Sequence, residues 1–164
     1  MKADFLQTIP DHQIDEKAVS YWRWSGLLGS FLYWLVPLAY YGAMRLWNWP
    51  GWILSIIIVL VLLISFLETT VIPNIRWKTW RYDVSEHQID LYHGVFIKYR
   101  TLIPMVHIQH VDTVQGPLMR HFGISTVTVS TAADEHEIPA LADDVAAELR
   151  EKISVLARVV DEDV

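Results

Sequence analysis

The sequence predicts a chain of two parts: a two-helix transmembrane hairpin, then a small, mostly β domain of about seven antiparallel strands capped by a C-terminal helix. Two apolar runs, Gly26–Met44 and Gly51–Leu67, contain no charged side chain, and about 20 helical residues cross the hydrocarbon core. From Trp77 onward, apolar residues alternate with polar ones, which is typical of half-buried strands. Between Leu141 and Val160, apolar residues recur at spacings of three and four, which indicates an amphipathic helix.

These patterns divide the chain into a leader at residues 1–24, the hairpin at residues 25–72 and the β domain at residues 73–164. The leader is polar and has no clear period, so we interpret it as a flexible or interface-lying segment. The first apolar run begins too late and is too long for a cleaved signal peptide. Pro37 predicts a kink in the first span. The short turn between the runs makes the two spans antiparallel neighbours.

Aromatic and basic residues flank both runs and predict the orientation of the hairpin. Lys17 and Arg23 precede the first span, and Arg76 and Lys78 follow the second, whereas the connecting turn carries only Arg45. Because basic residues stay on the cytoplasmic side, both termini are expected to be cytoplasmic. Six tryptophans are expected to anchor the chain at the membrane interface: Trp22, Trp24, Trp47, Trp49, Trp52 and Trp77.

One acid, Glu68, lies near the end of the second apolar run. An ionisable residue inside a membrane span is expensive and often functional. The alternative is an acid at the cytoplasmic interface, reached by water and close to Arg76 or Lys78. The sequence favours this second interpretation.

The predicted strands are short. They cover residues 80–84, 89–91, 95–100, 106–109, 124–131 and 136–139, with a bulge at His110-Val111 where the apolar alternation changes phase. The apolar stripe of the last helix consists of Leu141, Val145, Leu149, Ile153, Leu156 and Val160. Asp143 and Asp144 suit the start of that helix electrostatically.

The sequence gives little indication of a catalytic site or a metal site. The chain has no cysteine, and it lacks a G-x-S-x-G elbow, a phosphate-binding glycine loop and an H-E-x-x-H pair. Three histidines, His107, His110 and His121, offer a metal-binding or pH-sensing alternative, but no carboxylate stands at a motif spacing. The sequence therefore favours surface histidines, a protein that is not an enzyme, and no cofactor.

The charges are unevenly distributed along the β domain. Residues 76–120 hold six Lys or Arg and four acids, whereas residues 121–164 hold three bases and ten acids. An anionic leaflet would attract the first half and repel the second, although solubility alone explains the pattern equally well. The candidates for contact with lipid headgroups are Arg76, Lys78, Arg81, Lys98, Arg100 and Arg120.

Several short motifs, in order, resemble the bacterial pleckstrin-homology (PH) domain. They are Ile103-Pro104 with Ile108-Gln109, then Gly116-Pro117-Leu118-Met-Arg120-His-Phe122-Gly123, then Val127–Ala132, then Ile138-Pro-Ala-Leu141 before a helix. With the tryptophan-flanked hairpin in front, the chain resembles the YdbS-like, membrane-anchored branch over roughly residues 20–158.

The resemblance implies a strongly bent sheet of seven strands capped by a helix, and a non-enzymatic role in binding or assembly. It also implies a bacterial inner-membrane location, self-association, and often a larger membrane partner with several such domains. The phosphoinositide pocket of eukaryotic PH domains does not transfer, because the turn that would carry its basic loop is Ser85-Glu86-His87. No nucleic-acid partner is expected.

The segment from Gly116 to Gly123 is the main candidate for contact with a partner. It combines apolar Leu118, Met119 and Phe122 with basic Arg120. One interpretation is a loop that touches the membrane or another protein. The other is a short turn or helix whose Leu118 and Phe122 plug the end of the barrel. Direct recognition of anionic lipid headgroups by the domain remains the alternative function.

Overall fold

The computed structural model describes residues 10–95 and 97–162, with the backbone alone for residues 159–162. Residues 1–9 of the predicted leader, Phe96 of a predicted strand and the last two residues lie outside this description. The described residues form two compact units. One is the helical segment Val19–Asn74, and the other combines the residues up to Ala18 with those from Ile75 onward.

The helices follow the two apolar runs. They are α1 (Lys17–Tyr33), α2 (Leu35–Trp47), α3 (Gly51–Phe66), a five-residue π-helical turn (Leu67–Val71) and α4 (Ile72–Thr79). The helical stretches Lys17–Trp47 and Gly51–Thr79 are 31 and 29 residues long, with mean hydropathies of 1.3 and 2.6. By length and composition, both are able to cross a membrane.

The first helical stretch has a one-residue interruption just before Pro37, where the sequence predicts a kink. Helix α1 ends at Tyr33 and α2 begins at Leu35, so only Trp34 separates them. Because Pro37 has no backbone N–H, it cannot donate to the carbonyl of Tyr33, which lies four residues earlier. After α2, Asn48 adopts the left-handed conformation (φ 52°) and ends the helix before the turn into α3.

The β domain contains two antiparallel sheets and matches the predicted PH-like fold. The first sheet has the order β1-β2-β3-β4 and the second has the order β5-β6-β7. The strands are β1 (His12–Gln13), β2 (Arg81–Val84), β3 (Gln88–His93), β4 (Tyr99–Pro104), β5 (Ile108–Val114), β6 (Ile124–Thr131) and β7 (Glu135–Ala142). A short helix, α5 (Pro117–Phe122), joins β5 to β6, and α6 (Asp143–Glu162) ends the described chain.

The core lies between the sheets and α6. Its most deeply buried side chains are Ile89, Met105, Ile124, Ile138, Leu141, Ile153, Val127 and Val129. On α6 the buried face differs from the predicted stripe, because Ala146 is buried while Val145 is exposed. Leu141 belongs to β7, and the side chain of Val160 lies outside the described part.

Several boundaries differ from the predicted ones. Residues 95, 97 and 98 are a loop, because Gly94 bends the chain (φ 127°) after β3. Residues Met105–His107 form a 3-10 turn, so β5 begins at Ile108. The predicted bulge is confirmed one residue earlier, between Ile108 and His110, and the strand at Ile124–Thr131 is confirmed with its predicted ends.

The N-terminal segment belongs to the β domain, which the sequence did not predict. His12 pairs with Tyr82, and Gln13 pairs with Arg81. The Gln13 Nε2 donates to the Trp77 carbonyl at 3.0 Å. In return, the Trp77 indole N–H donates to the Ile14 carbonyl at 3.2 Å. Both ends of the hairpin are therefore joined to the same domain, and residues 12–18 are not a separate leader.

Candidate interaction surfaces

The Gly116–Gly123 segment forms a capped helical turn. Pro117 occupies the first helical position, and Gly123 ends the helix in the left-handed conformation (φ 64°). Leu118, Met119 and Phe122 are all half-buried, while Arg120 is exposed. Among the described residues, the Arg120 guanidinium makes no hydrogen bond or ion pair. The apolar side chains thus partly pack on the domain, and the base faces solvent.

A carboxylate at the start of α6 fixes this segment. Asp143 Oδ1 accepts hydrogen bonds from Ser125 Oγ at 2.6 Å and from Gln115 Nε2 at 2.8 Å. Its backbone N–H donates to the Gly123 carbonyl at 3.3 Å. Asp143 therefore ties both flanks of α5 to the helix that covers the core. The sequence placed Asp143 at the helix start but gave no sign of these partners.

The bases predicted to bind lipid headgroups differ in their exposure and in their partners. Arg100 forms a bidentate pair with Asp90, with Nη2 to Oδ2 at 2.6 Å, and only 18% of its side chain is exposed. This hydrogen bonding raises the pKa of Arg100. Arg100 is therefore engaged inside the domain. Lys78 and Lys98 are exposed, and the Lys98 Nζ lies 5.8 Å from the centre of the Tyr92 ring.

Three stacked rings cross the first sheet at one end, and the sequence did not predict them. Trp80 stacks on His93 with ring centres 4.7 Å apart, and His93 stacks on Tyr99 at 5.7 Å. The rings meet because His93 pairs with Tyr99 across β3 and β4, while Trp80 immediately precedes β2. The sequence shows an aromatic residue or a histidine at the end of each strand. Which of these rings come together depends on the strand register, which the sequence does not show.

His93 has an unusual environment. Its Nδ1 is buried and has no hydrogen-bond partner among the described residues. Burial lowers the pKa of His93 below its ordinary value, and the nearby charges of Arg76 and His136 lower it further. Burial and these charges thus favour the neutral imidazole, which lies between two aromatic rings.

The second sheet has two edge strands within the described chain, β5 and β7. Strand β5 pairs with β6 on one side and has no strand partner on the other within the described chain. A groove lies between β5 and α6, lined by Val106, Ile108, Val111, Ser154, Ala157 and Arg158, among others. The groove therefore places an edge strand beside a mixed lining, in which Gln109, His110 and Arg158 accompany the apolar side chains.

The helical unit contains a polar contact around Glu68. The Tyr33 hydroxyl donates to Glu68 Oε1 at 3.1 Å. Two neighbouring hydroxyls, Ser65 Oγ and Thr69 Oγ1, are buried and have no partner among the described residues. Glu68 lies in the π-helical turn, a feature that often marks functional positions. These polar groups nonetheless come from one pair of helices and do not form a defined ligand site.

The tryptophans separate into two groups. Trp24, Trp47, Trp49 and Trp52 are exposed, as interfacial anchors would be in the absence of a bilayer. Trp22 is half-buried. Trp77 is half-buried too, and its indole N–H is used inside the β domain.

The three histidines of the metal hypothesis are all exposed: His107, His110 and His121. No group of three His, Asp or Glu residues able to hold a metal ion occurs in the described ranges.

The fold defines a class of protein: a PH-like domain attached to candidate membrane spans. Its parts are two helices able to cross a membrane, two antiparallel sheets and a C-terminal helix that covers them. The model of the bacterial PH domain family matches residues 20–157, and the chain belongs to that family. It is 42% identical over 155 residues to the UPF0699 transmembrane protein YdbS of Bacillus subtilis (strain 168), which covers 94% of this chain and 98% of that protein. No solved structure matches the chain.

Proposed function

We propose that this protein is a two-span protein of the bacterial inner membrane whose PH-like domain docks a second membrane protein and is not an enzyme. The observation that carries the proposal is the open edge of β5 beside the groove against α6. An unpaired strand edge accepts an extended segment of another protein through main-chain hydrogen bonds, and neighbouring pockets select its side chains.

The β5 edge lacks the lysine and proline that often block such pairing, although it contains one exposed acid, Asp112. Exposed edges are normally interrupted by lysine, proline or a bulge. The bulge here lies at the start of β5, and the five residues His110–Val114 then pair regularly with β6. They include neither lysine nor proline. Exposed Val106 and Val114 stand at the two ends of this edge.

The way the chain enters and leaves the helical unit supports the proposal that both termini lie on the cytoplasmic side. Residues on both sides of the helical unit belong to one β domain. If each long helix crosses the bilayer once, the two termini must then lie on the same side. Arg76, Lys78 and Arg81 follow the second span, against Arg45 alone in the turn, which favours the cytoplasmic side.

Site-specific photo-crosslinking in native membranes tests the docking proposal. A photoreactive side chain at Thr113, which is exposed on β5, should give a discrete adduct with another membrane protein. The matched control is the same group at Glu151, which is exposed on α6, and it should give no such adduct. Absence of an adduct at Thr113, equal labelling at both positions, or adducts with a second copy alone would overturn the proposal.

A second substitution sharpens this experiment. Thr113→Lys would place a charge on the docking edge without touching the core, and edge lysines oppose strand pairing. With the photoreactive group moved to Gln109, an exposed β5 residue, the substitution should reduce the adduct. An unchanged adduct would show that the partner does not use the strand edge.

A further inference from the structure

The loop between β3 and β4 exposes large apolar side chains around a base. Ile97 is 66% exposed and Tyr99 is 54% exposed, with exposed Lys98 between them. The bend at Gly94 requires glycine, because its φ is 127° and a Cβ there would overlap the Ile97 carbonyl oxygen. Only glycine fits this bend. Ile97 and Tyr99 thus lie exposed on either side of Lys98, just after this bend.

The ring stack ties this loop to the place where the chain leaves the second candidate span. Trp80 directly follows α4, and its backbone N–H still donates to the Arg76 carbonyl at 3.1 Å. Trp80 stacks on His93, and His93 stacks on Tyr99 at the start of β4. Two ring contacts, Trp80 with His93 and His93 with Tyr99, therefore connect the loop to the end of α4.

The two ends of the first sheet differ in chemistry. At the end near Trp80, Lys78, Arg81 and Lys98 accompany the exposed loop. At the opposite end, the turn Ser85–His87 and the 3-10 turn Met105–His107 meet through a hydrogen bond from the Met105 N–H to the His87 carbonyl. Those two turns contain Glu86 and no lysine or arginine of their own, although Lys152 of α6 donates to the neighbouring Val84 carbonyl at 3.1 Å. The segments at the end near Trp80 thus contain three bases, whereas the two opposite turns contain none.

We propose that Ile97, Lys98 and Tyr99 form a second membrane contact that seats in the interface of an anionic leaflet. Ile97 would enter the acyl boundary, while the phenol of Tyr99 favours the headgroup level. Each lysine or arginine near an anionic surface contributes about 1 kcal/mol. The contact would fix the orientation of the domain on the bilayer. The inference rests on the proposed insertion of the two helices, but it does not depend on docking at β5.

Fluorescence quenching in proteoliposomes tests the contact in the full-length protein. Because the chain has no cysteine, Ile97→Cys can carry a single environment-sensitive fluorophore, and spin-labelled lipids at the acyl boundary act as quenchers. The vesicles contain phosphatidylcholine alone or with phosphatidylglycerol. The label at 97 should be quenched, and more strongly with the anionic lipid. Tyr99→Cys repeats the measurement in case one variant does not fold.

Two control positions distinguish failure of the loop contact from failure of helix insertion. Val106→Cys, at the opposite end of the sheet and 51% exposed, should stay unquenched. Leu62→Cys, in α3, reports insertion of the helices and should be quenched in both lipids. If Leu62→Cys is not quenched, the proposed membrane insertion fails. If it is quenched while the labels at 97 and 99 match the label at 106, the loop contact is overturned.

The charge of the loop is tested separately. Lys98→Glu, made together with Ile97→Cys, should lower the ratio of membrane-bound to free loop by a factor of about five or more in anionic vesicles, because each base contributes about 1 kcal/mol. It should change little in phosphatidylcholine alone. Equal quenching with either residue at 98 would remove the electrostatic part of the proposal.

Discussion

At the scale of single residues, His93 shows how a side chain acquires its properties from strand register. Its neighbours Trp80 and Tyr99 lie 13 and six residues away in sequence, yet their rings are stacked on it. The alternation of the strands predicted which residues lie on one face. It could not predict that three rings line up, since that depends on the pairing of His93 with Tyr99.

The lowered pKa of His93 predicts a pH-dependent stability. The unfolded chain takes up a proton on this histidine near its ordinary pKa of 6.5, whereas the folded domain resists protonation. The free energy of unfolding should therefore be highest above that pH and fall as the pH is lowered from about 7.5 to 5.5. Pulse proteolysis of the full-length protein in nanodiscs across a urea series measures this change.

The control for this prediction is His93→Phe, which keeps a ring in the stack but cannot be protonated. The stability of this variant should depend less on pH than that of the unsubstituted protein, with the remaining slope due to other groups. An equal pH dependence in both proteins would show that His93 is not the group responsible.

Residue types identify the candidate bases, but they do not show which bases are paired with an acid and which are accessible. Arg100 and Lys98 stand two positions apart and have the same formal charge. The first is engaged by Asp90, and the second is exposed. The difference arises because Asp90 and Arg100 lie diagonally across β3 and β4 on one face of the sheet. A sequence that does not reveal the register cannot distinguish a paired base from an accessible one.

At the scale of elements, the sequence predicts α6 and β6 well, but it predicts only residues 136–139 of the eight-residue β7 and misses β1. Helix α6 and strand β6 have enough residues to show their period. Strand β1 has two residues, too few for any alternation to show, so its segment looked like a polar leader. The β3–β4 loop was taken as strand because Ile97 and Tyr99 alternate with bases, although Gly94 ends the pairing.

The helical unit offers a matched pair of glycines on α1. A Cβ on Gly26 would lie 3.2 Å from the Glu68 carbonyl oxygen, whereas a Cβ on Gly29 would meet nothing within 4 Å. Small residues allow the backbones of neighbouring helices to approach closely. Gly26→Val should therefore weaken the packing of α1 against the π-helical turn by about 1–3 kcal/mol. Gly29→Val should leave it almost unchanged.

Thermal denaturation of the full-length protein in detergent compares these two variants. The substitutions add the same side chain to the same helix, so intrinsic helix propensity and hydrophobicity cancel. Equal melting temperatures for the two variants would contradict the close approach at Gly26.

At the scale of the whole molecule, the helical hairpin is an insertion within the β domain. Strand β1 and residues 14–18 precede the hairpin, yet they belong to the same compact unit as everything from Ile75 onward. Ile14 and Ala18 are 3% and 0% exposed. The domain therefore depends on residues that precede the helical hairpin and on residues that follow it, and both ends of the hairpin are joined to one structure.

This arrangement predicts that the N-terminal segment stabilises the C-terminal domain. Ile14→Ser in the full-length protein should lower the free energy of unfolding of the β domain by about 2–3 kcal/mol, because a buried aliphatic side chain is lost. Trp77→Phe keeps most of the packing but removes the indole donor to the Ile14 carbonyl. It should cost about 1 kcal/mol.

Glu16→Ala supplies the control, since Glu16 is exposed on the same segment and surface substitutions usually change stability by less than about 0.5 kcal/mol. Urea unfolding in nanodiscs, followed by cleavage within β2–β7, measures the domain in each variant. If the segment were an independent leader, Ile14→Ser and Glu16→Ala would leave the domain equally stable. A loss confined to Ile14→Ser and Trp77→Phe would show that the domain is built from both sides of the hairpin.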